Sequence, residues 1–291
     1  MPSNKFLVDE YYTQFKSGSV SFIDDLPFKM LMSNPKVCQC LISAILEREM
    51  EIIGKIDTSF AIDNLNNDGH SVVLDVLCKE KNGNMVNVEM QKARGNIDHL
   101  TRVDYYASMM KVKFAKSGDY VYAKIPKVTI IYLTDFDVFK EGEALYHITE
   151  TILETGKKVD MGREFIFVNI ASQKNKIVCA LSRLLKTGEV IASDYTDPNL
   201  ADIARGIDRF KTKGENEMKG DIAEFLAPYA DQLRNEGRKE GRKEGFEQGE
   251  LNSILNIMRT TGWSMEDTME KMCITPALRA GYAEKLTRLR T

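Results

Sequence analysis

Two acids and an amide, Asp75, Glu89 and Gln91, flank an Asn82-Gly83 pair in a chain of 291 residues. Two carboxylates held close together can bind a hard divalent cation, so the question is whether the chain brings them close. Val72, Leu74, Val76 and Cys78 alternate along one segment, and Val86, Val88 and Met90 along the next, the period-two pattern of half-buried strands. If Asn82-Gly83 were a two-residue turn, Asp75 would lie opposite Met90 and the acids would point to opposite faces. A three-residue loop, Lys81-Asn82-Gly83 with Gly83 left-handed, instead pairs Asp75 with Glu89, Val73 with Gln91 and Leu77 with Asn87. This register is also expected to gather the apolar set onto one face, and a one-residue slip would scatter it, so burial selects it.

Directly opposed Cβ atoms lie about 5 Å apart, and like charges there destabilise a sheet. A cation such as Mg²⁺, which accepts carboxylate and backbone carbonyl oxygens, would offset the repulsion. The residues alone leave open a plainer arrangement, in which Asp75 and Glu89 line a solvated outer face with nothing between them.

Asp75, the Asn-Gly turn and Glu89-Met90-Gln91 together resemble the PD-(D/E)xK nuclease superfamily, and more narrowly its recombination-promoting nuclease and transposase-like branch, whose third motif is often E-x-Q. The similarity extends to Phe28-Lys29 before an apolar helix, to Arg102 with Tyr105-Tyr106, and to a glycine-punctuated charged tail, so it spans most of the chain. The resemblance implies a restriction-endonuclease-like α/β core with a mixed central sheet flanked by helices. It also implies metal-dependent hydrolysis of DNA phosphodiester bonds, linked to recombination or mobile elements. Asp75, Glu89 and the carbonyl of Met90 would hold Mg²⁺ or Mn²⁺, which polarises a phosphate and lowers the pKa of an attacking water. Arg102 and Tyr106 are expected near the site, with Lys111 or Lys113 as further phosphate or DNA contacts. The first core helix of the superfamily often adds another acid, for which Glu47, Glu49 and Glu51 are available. Two departures stand out: Leu74 replaces the proline before the first acid, and Gln91 replaces the lysine that usually orients the water. Gln91 brings hydrogen bonds but no charge, so slow turnover is expected.

The composition constrains the rest. A formal net charge of -3 does not by itself announce a nucleic-acid binder, but residues 92–127 carry eight Lys/Arg against three acids, where a phosphate backbone would be held. Five cysteines without paired spacing suggest reduced thiols, and three histidines offer little to zinc. No apolar run approaches the ~20 residues that span a bilayer, and Asp9-Glu10 follow too closely on Phe6-Leu7-Val8 for a secretion signal. A cytoplasmic protein without a membrane partner is the expectation.

The elements that must position the site read as follows. Helical spacing predicts a helix over residues 35–50, opened by Pro35, then a strand over 52–62 and a polar loop over 63–69. After Gln91, Leu100, Val103, Ala107, Met110 and Phe114 predict a helix ending near Gly118. Strands are expected near 127–133 and 165–170, a loop or edge over 150–160, and helices over 177–185 and 200–210. A nuclease-like domain is expected over residues 1–230. Over 231–250, Gly237, Gly241, Gly245 and Gly249 recur every fourth residue, giving a charged linker or a helix that a partner could approach closely. Residues 251–291 predict short helices: Gly262 breaks the first, Ser264 caps the second and Thr275-Pro276 opens a third. They suit a helix-turn-helix reader or a packing bundle equally. The alternatives to a nuclease are a non-catalytic DNA-binding protein on the same fold, or a protein that oligomerises through its C-terminal region.

Overall fold

The computed structural model describes residues 4–17, 20–63, 71–95, 97–115, 122–275, 279, 281–283 and 286, with backbone alone at 4–6, 123 and 228–248. The chain divides into two compact units, Met1–Ile222 and Ala223–Thr291. The expected loop over 63–69 lies almost wholly outside the described residues, as do Gly118 and Pro276.

The first unit begins with three helices, α1 (Asn4–Lys16), α2 (Asp25–Met32) and α3 (Pro35–Leu46). Pro35 starts α3 as expected because its missing N–H costs nothing in a first turn, while the Asn34 side chain accepts from the N–H groups of Lys36 and Val37. There follow β1 (Ile52–Ile62), β2 (Val72–Glu80), β3 (Met85–Gln91), α4 (His99–Phe114) and β4 (Val128–Thr134). Then come β5 (Leu145–Ile148), a small separate ribbon of β6 (Glu150–Ile152) and β7 (Lys157–Val159), β8 (Arg163–Asn169), α5 (Lys176–Thr187) and α6 (Ala201–Thr212). One six-stranded sheet runs β1-β2-β3-β4-β8-β5: β2 is antiparallel to both its neighbours β1 and β3, β3, β4 and β8 are parallel, and β5 returns antiparallel at the edge. This mixed sheet with helices on both faces is a restriction-endonuclease-like core.

The β2–β3 register is the expected one, with Leu77 opposite Asn87 and Cys78 opposite Val86. Gly83 takes φ +94° and its N–H bonds Glu80 O, while Glu80 N–H bonds Asn84 O, closing a three-residue loop. The expectation that Val72, Leu74, Val76 and Cys78 share a face is corrected. Val76 and Cys78, with Val86 and Val88, pack in a core that includes side chains of α2, α3, α5 and α6. Val72, Leu74 and Leu77 pack instead in a second core with Val103, Tyr106, Ala107 and Met110 of α4. The strand changes face at Asp75. There the ladder with β3 stops at Val76–Val88, and Ser59 of β1, between the rungs Thr58–Val76 and Phe60–Leu74, has φ +74°. Because the sheet is buried on both faces, an apolar alternation cannot by itself tell one core from the other.

Gly206 on α6 marks a close approach to the first helices: a Cβ there would stand 2.6 Å from Val37 Cγ2 and 3.3 Å from Leu31 Cδ1. Val37 is stiff and buried, so it yields little. Gly206→Ala should destabilise the protein by about 1–3 kcal/mol, overpacking outweighing the ~1 kcal/mol helix gain. Urea unfolding would check this, and unchanged or increased stability would refute it.

The backbone over the glycine repeat is helical, within α7 (Glu215–Thr261). In the second unit Gly262 ends α7 at φ +73°, and Ser264 caps α8 (Met265–Lys271) by accepting from Asp267 N–H. Leu251, Ile254, Met258, Met269, Ile274, Tyr282 and Leu286 form its own small core. All five cysteines are free thiols, and no helix among the described residues is long and apolar enough to cross a membrane.

Candidate active site

Asp75 and Glu89 meet where the β2–β3 ladder ends. Glu89 Oε1 accepts from the backbone N–H of Asp75 at 2.9 Å, and Asp75 Oδ2 accepts from the backbone N–H of Met90 at 3.1 Å. Each carboxylate thus takes a main-chain donor beside the other acid, and the two strands are clasped by side chains. Glu89 is 1% exposed, and Asn87, fully buried two residues earlier on the same face, donates from Nδ2 to Oε1 at 2.9 Å. Asn87 Oδ1 is solvent-inaccessible and has no hydrogen-bond partner among the described residues.

The acids differ in their counter-charges. Lys29, on α2, brings Nζ to 3.1 Å from Asp75 Oδ1. Arg102, on α4, stands 3.7 Å from Glu89 Oε2, donates to Gln91 Oε1 at 3.1 Å and to Tyr106 OH at 3.0 Å, and packs 5.1 Å over the Tyr106 ring. Burial, and then the charge of Asp75, push the Glu89 carboxyl up to about 8, against the pull of the Asp75 N–H, Asn87 and Arg102. Burial also raises Asp75, opposed chiefly by Lys29.

A packed pair fixes the base of α4. Tyr132 is the parallel-register neighbour of Glu89, and its hydroxyl lies 2.9 Å from His99 Nδ1, while His99 Nε2 lies 2.9 Å from Arg94 O. Burial pushes Tyr132 up to about 12 and His99 down, so both are neutral near pH 7.

Asp75, Glu89, Met90, Gln91, Arg102 and Tyr106 are therefore brought together. Lys111 and Lys113 are not: Lys111 Nζ donates to Met161 O, and Lys113 sits 6.0 Å above the Phe60 ring. Nor is any of the three glutamates offered as a further acid. Glu47 is the left-handed cap of α3, Glu49 is exposed, and Glu51 pairs with Lys81 at 2.7 Å. The extra acid beside the pair is Asp25, whose Oδ1 lies 2.6 Å from Lys29 Nζ. The signal for Lys29 was a single cation inside the apolar stretch Leu26–Met32; a lysine flanked so closely by buried residues must itself be buried and paired. Asn87, His99 and Tyr132 carried no such signal.

Among the described residues no group of three or more His, Cys, Asp or Glu converges as a ready metal cage. The pair's chemistry nevertheless fits a hard divalent cation. Its donors are oxygens, and Glu89 is buried and holds its proton to about pH 8 because of that burial and then the charge of Asp75, a repulsion that a cation would relieve. No curated protein and no solved structure matches the chain. The sequence model of the PD-(D/E)XK nuclease family transposase does, over residues 22–183, a span that holds the clasped acids, Lys29, Arg102 and every strand of the sheet. With more than half its length matched and the sheet of that fold built around the carboxylate pair, the chain belongs to the PD-(D/E)XK nuclease family transposases.

Proposed function

We propose that this protein hydrolyses DNA phosphodiester bonds with a divalent metal, Mg²⁺ or Mn²⁺, at the Asp75–Glu89 pair, in the service of DNA recombination or a mobile element. The observation that carries the reading is the pair itself, a buried Glu89 and a half-buried Asp75 clasped across β2 and β3 and lying within the residues that match the family. Asp75, Glu89 and the carbonyl of Met90 would hold the cation, which when bound supplies Lewis-acid activation of water and phosphate. The chain's own part is positional. The main-chain clasp fixes the two carboxylates, and Asn87 holds Glu89 from behind. Arg102, aligned by Gln91 and Tyr106, presents its guanidinium beside Glu89, where it can take a phosphate oxygen. The E-x-Q variant has a specific role here: Gln91 donates to Ala93 O at 2.7 Å and accepts from Arg102, so its amide orients the arginine rather than a water.

That commitment of Gln91 also favours a second reading, a DNA-binding protein on the same fold that does not cut. Cleavage of supercoiled and linear DNA separates the two. The nuclease reading expects cutting with Mg²⁺ or Mn²⁺, none with EDTA, and none by a folded Asp75→Ala variant. Retention of DNA by both proteins without cutting under any metal would support the second.

A further inference from the structure

Lys29 is 4% exposed on an eight-residue helix, α2, whose neighbouring side chains Leu26, Phe28, Met30, Leu31 and Met32 are all buried. An ammonium is costly to bury and persists only when paired. Asp25, one turn back on the same helix and well exposed, pairs with it at 2.6 Å and offers a partner at the surface. The side chain nonetheless reaches inward to within 3.1 Å of Asp75 Oδ1. A second ion pair, Lys92 Nζ to Asp24 Oδ1 at 2.6 Å, ties the segment before α2 to the chain just beyond β3. The end of the helix is thus fixed on both acid-bearing strands. Meanwhile residue 91 carries no charge and its amide is occupied at both ends.

We propose that Lys29 is a positioning residue of the site: from α2 its ammonium fixes the Asp75 carboxylate and supplies the positive charge that strand position 91 lacks. The proposal deepens the metal-dependent hydrolysis argued above and rests on it. A lysine serving only to anchor α2 would be replaceable by methionine, which has nearly the same shape and no charge to bury. A positioning charge would not be replaceable, and arginine would restore part of the function.

The test measures Mn²⁺ binding by calorimetry and steady-state DNA cleavage for the wild type, Lys29→Met, Lys29→Arg and Asp75→Ala, with thermal melting to confirm folding. Lys29→Met should bind Mn²⁺ at least as tightly as the wild type, because a cation beside Asp75 has gone. Its kcat should fall by about 10–100-fold, with KM for DNA little changed and Lys29→Arg intermediate. Two results overturn the proposal: Lys29→Met turning over within a few-fold of the wild type, as a mere anchor of α2 would, or losing Mn²⁺ binding and cleavage together as Asp75→Ala does, which would mean that the metal site itself needs Lys29 and not only a charge beside it. If Lys29→Met does not fold, Lys29→Gln is judged by the same two results. Failure of the underlying reading looks different, because the wild type itself then neither binds Mn²⁺ nor cuts, and the proposal falls with it.

Discussion

Glu89→Gln should abolish metal-dependent cleavage and, in the metal-free protein, raise stability at pH 9 while changing it little near pH 5. The activity loss follows from removing a negative metal ligand while keeping its shape, and at least ~10²-fold is expected, as for other groups that act on transition-state charge. The stability change follows from linkage. Glu89 titrates at about 8 in the folded chain, against an ordinary value of 4.5. Between these values the folded protein holds a proton that the unfolded chain has released, so stability falls as pH rises from 4.5 towards 8 and levels off above. Glutamine mimics the protonated acid: near pH 5 the variants match, and above pH 8 the variant is spared a buried charge, a gain of several kcal/mol. Urea unfolding in EDTA at pH 5 and pH 9 measures both ends. An equal difference at the two values would show that Glu89 is ionised throughout, contrary to its burial.

Removal of Arg102 should have the second largest effect. Its guanidinium joins Glu89, Gln91 and Tyr106, so Arg102→Met leaves a buried carboxylate with less counter-charge and a glutamine oxygen without its donor. A loss of about 1–3 kcal/mol in stability is expected at pH 8, together with a 10–100-fold fall in single-turnover cleavage. Arg102→Lys should keep the charge but recover only part of the rate, because an ammonium cannot repeat the three-way fork. Full activity in the lysine variant would mean that only net charge matters at this position.

How far the sequence foretold these residues depended on what each pattern could distinguish. The Asn82-Gly83 pair determined the hairpin register, because a left-handed Gly83 closes a three-residue loop and so sets which residues pair beyond it. The alternation around it misjudged the faces. Leu74 and Val76 are equally apolar, and only the change of face at Asp75 sends them to different cores. Phe28-Lys29 was legible as part of the resemblance, but the contact of Lys29 with Asp75 was not, because it joins α2 to β2 across a long stretch of chain that no local pattern encodes. A helix reaching Met50 would have set Glu49 near the buried stripe, four residues after Ile45, but α3 stops at Leu46 with a left-handed cap at Glu47, so Glu49 and Glu51 lie beyond it. β5, β6 and β7 are short, partly exposed edge strands whose mixed sequence reads as loop.

The clasp between Asp75 and Glu89 also bears on how the hairpin opens. Past Val76–Val88 the bonds between these two strands are made by the acids themselves, each to a main-chain amide beside the other. Protection of the Asp75 and Met90 amides against deuterium exchange therefore reports on the carboxylates, and an acid removed at this point unfastens the end of a strand pair as well as a ligand. Breathing of the sheet and readiness of the site are, at this rung, a single equilibrium.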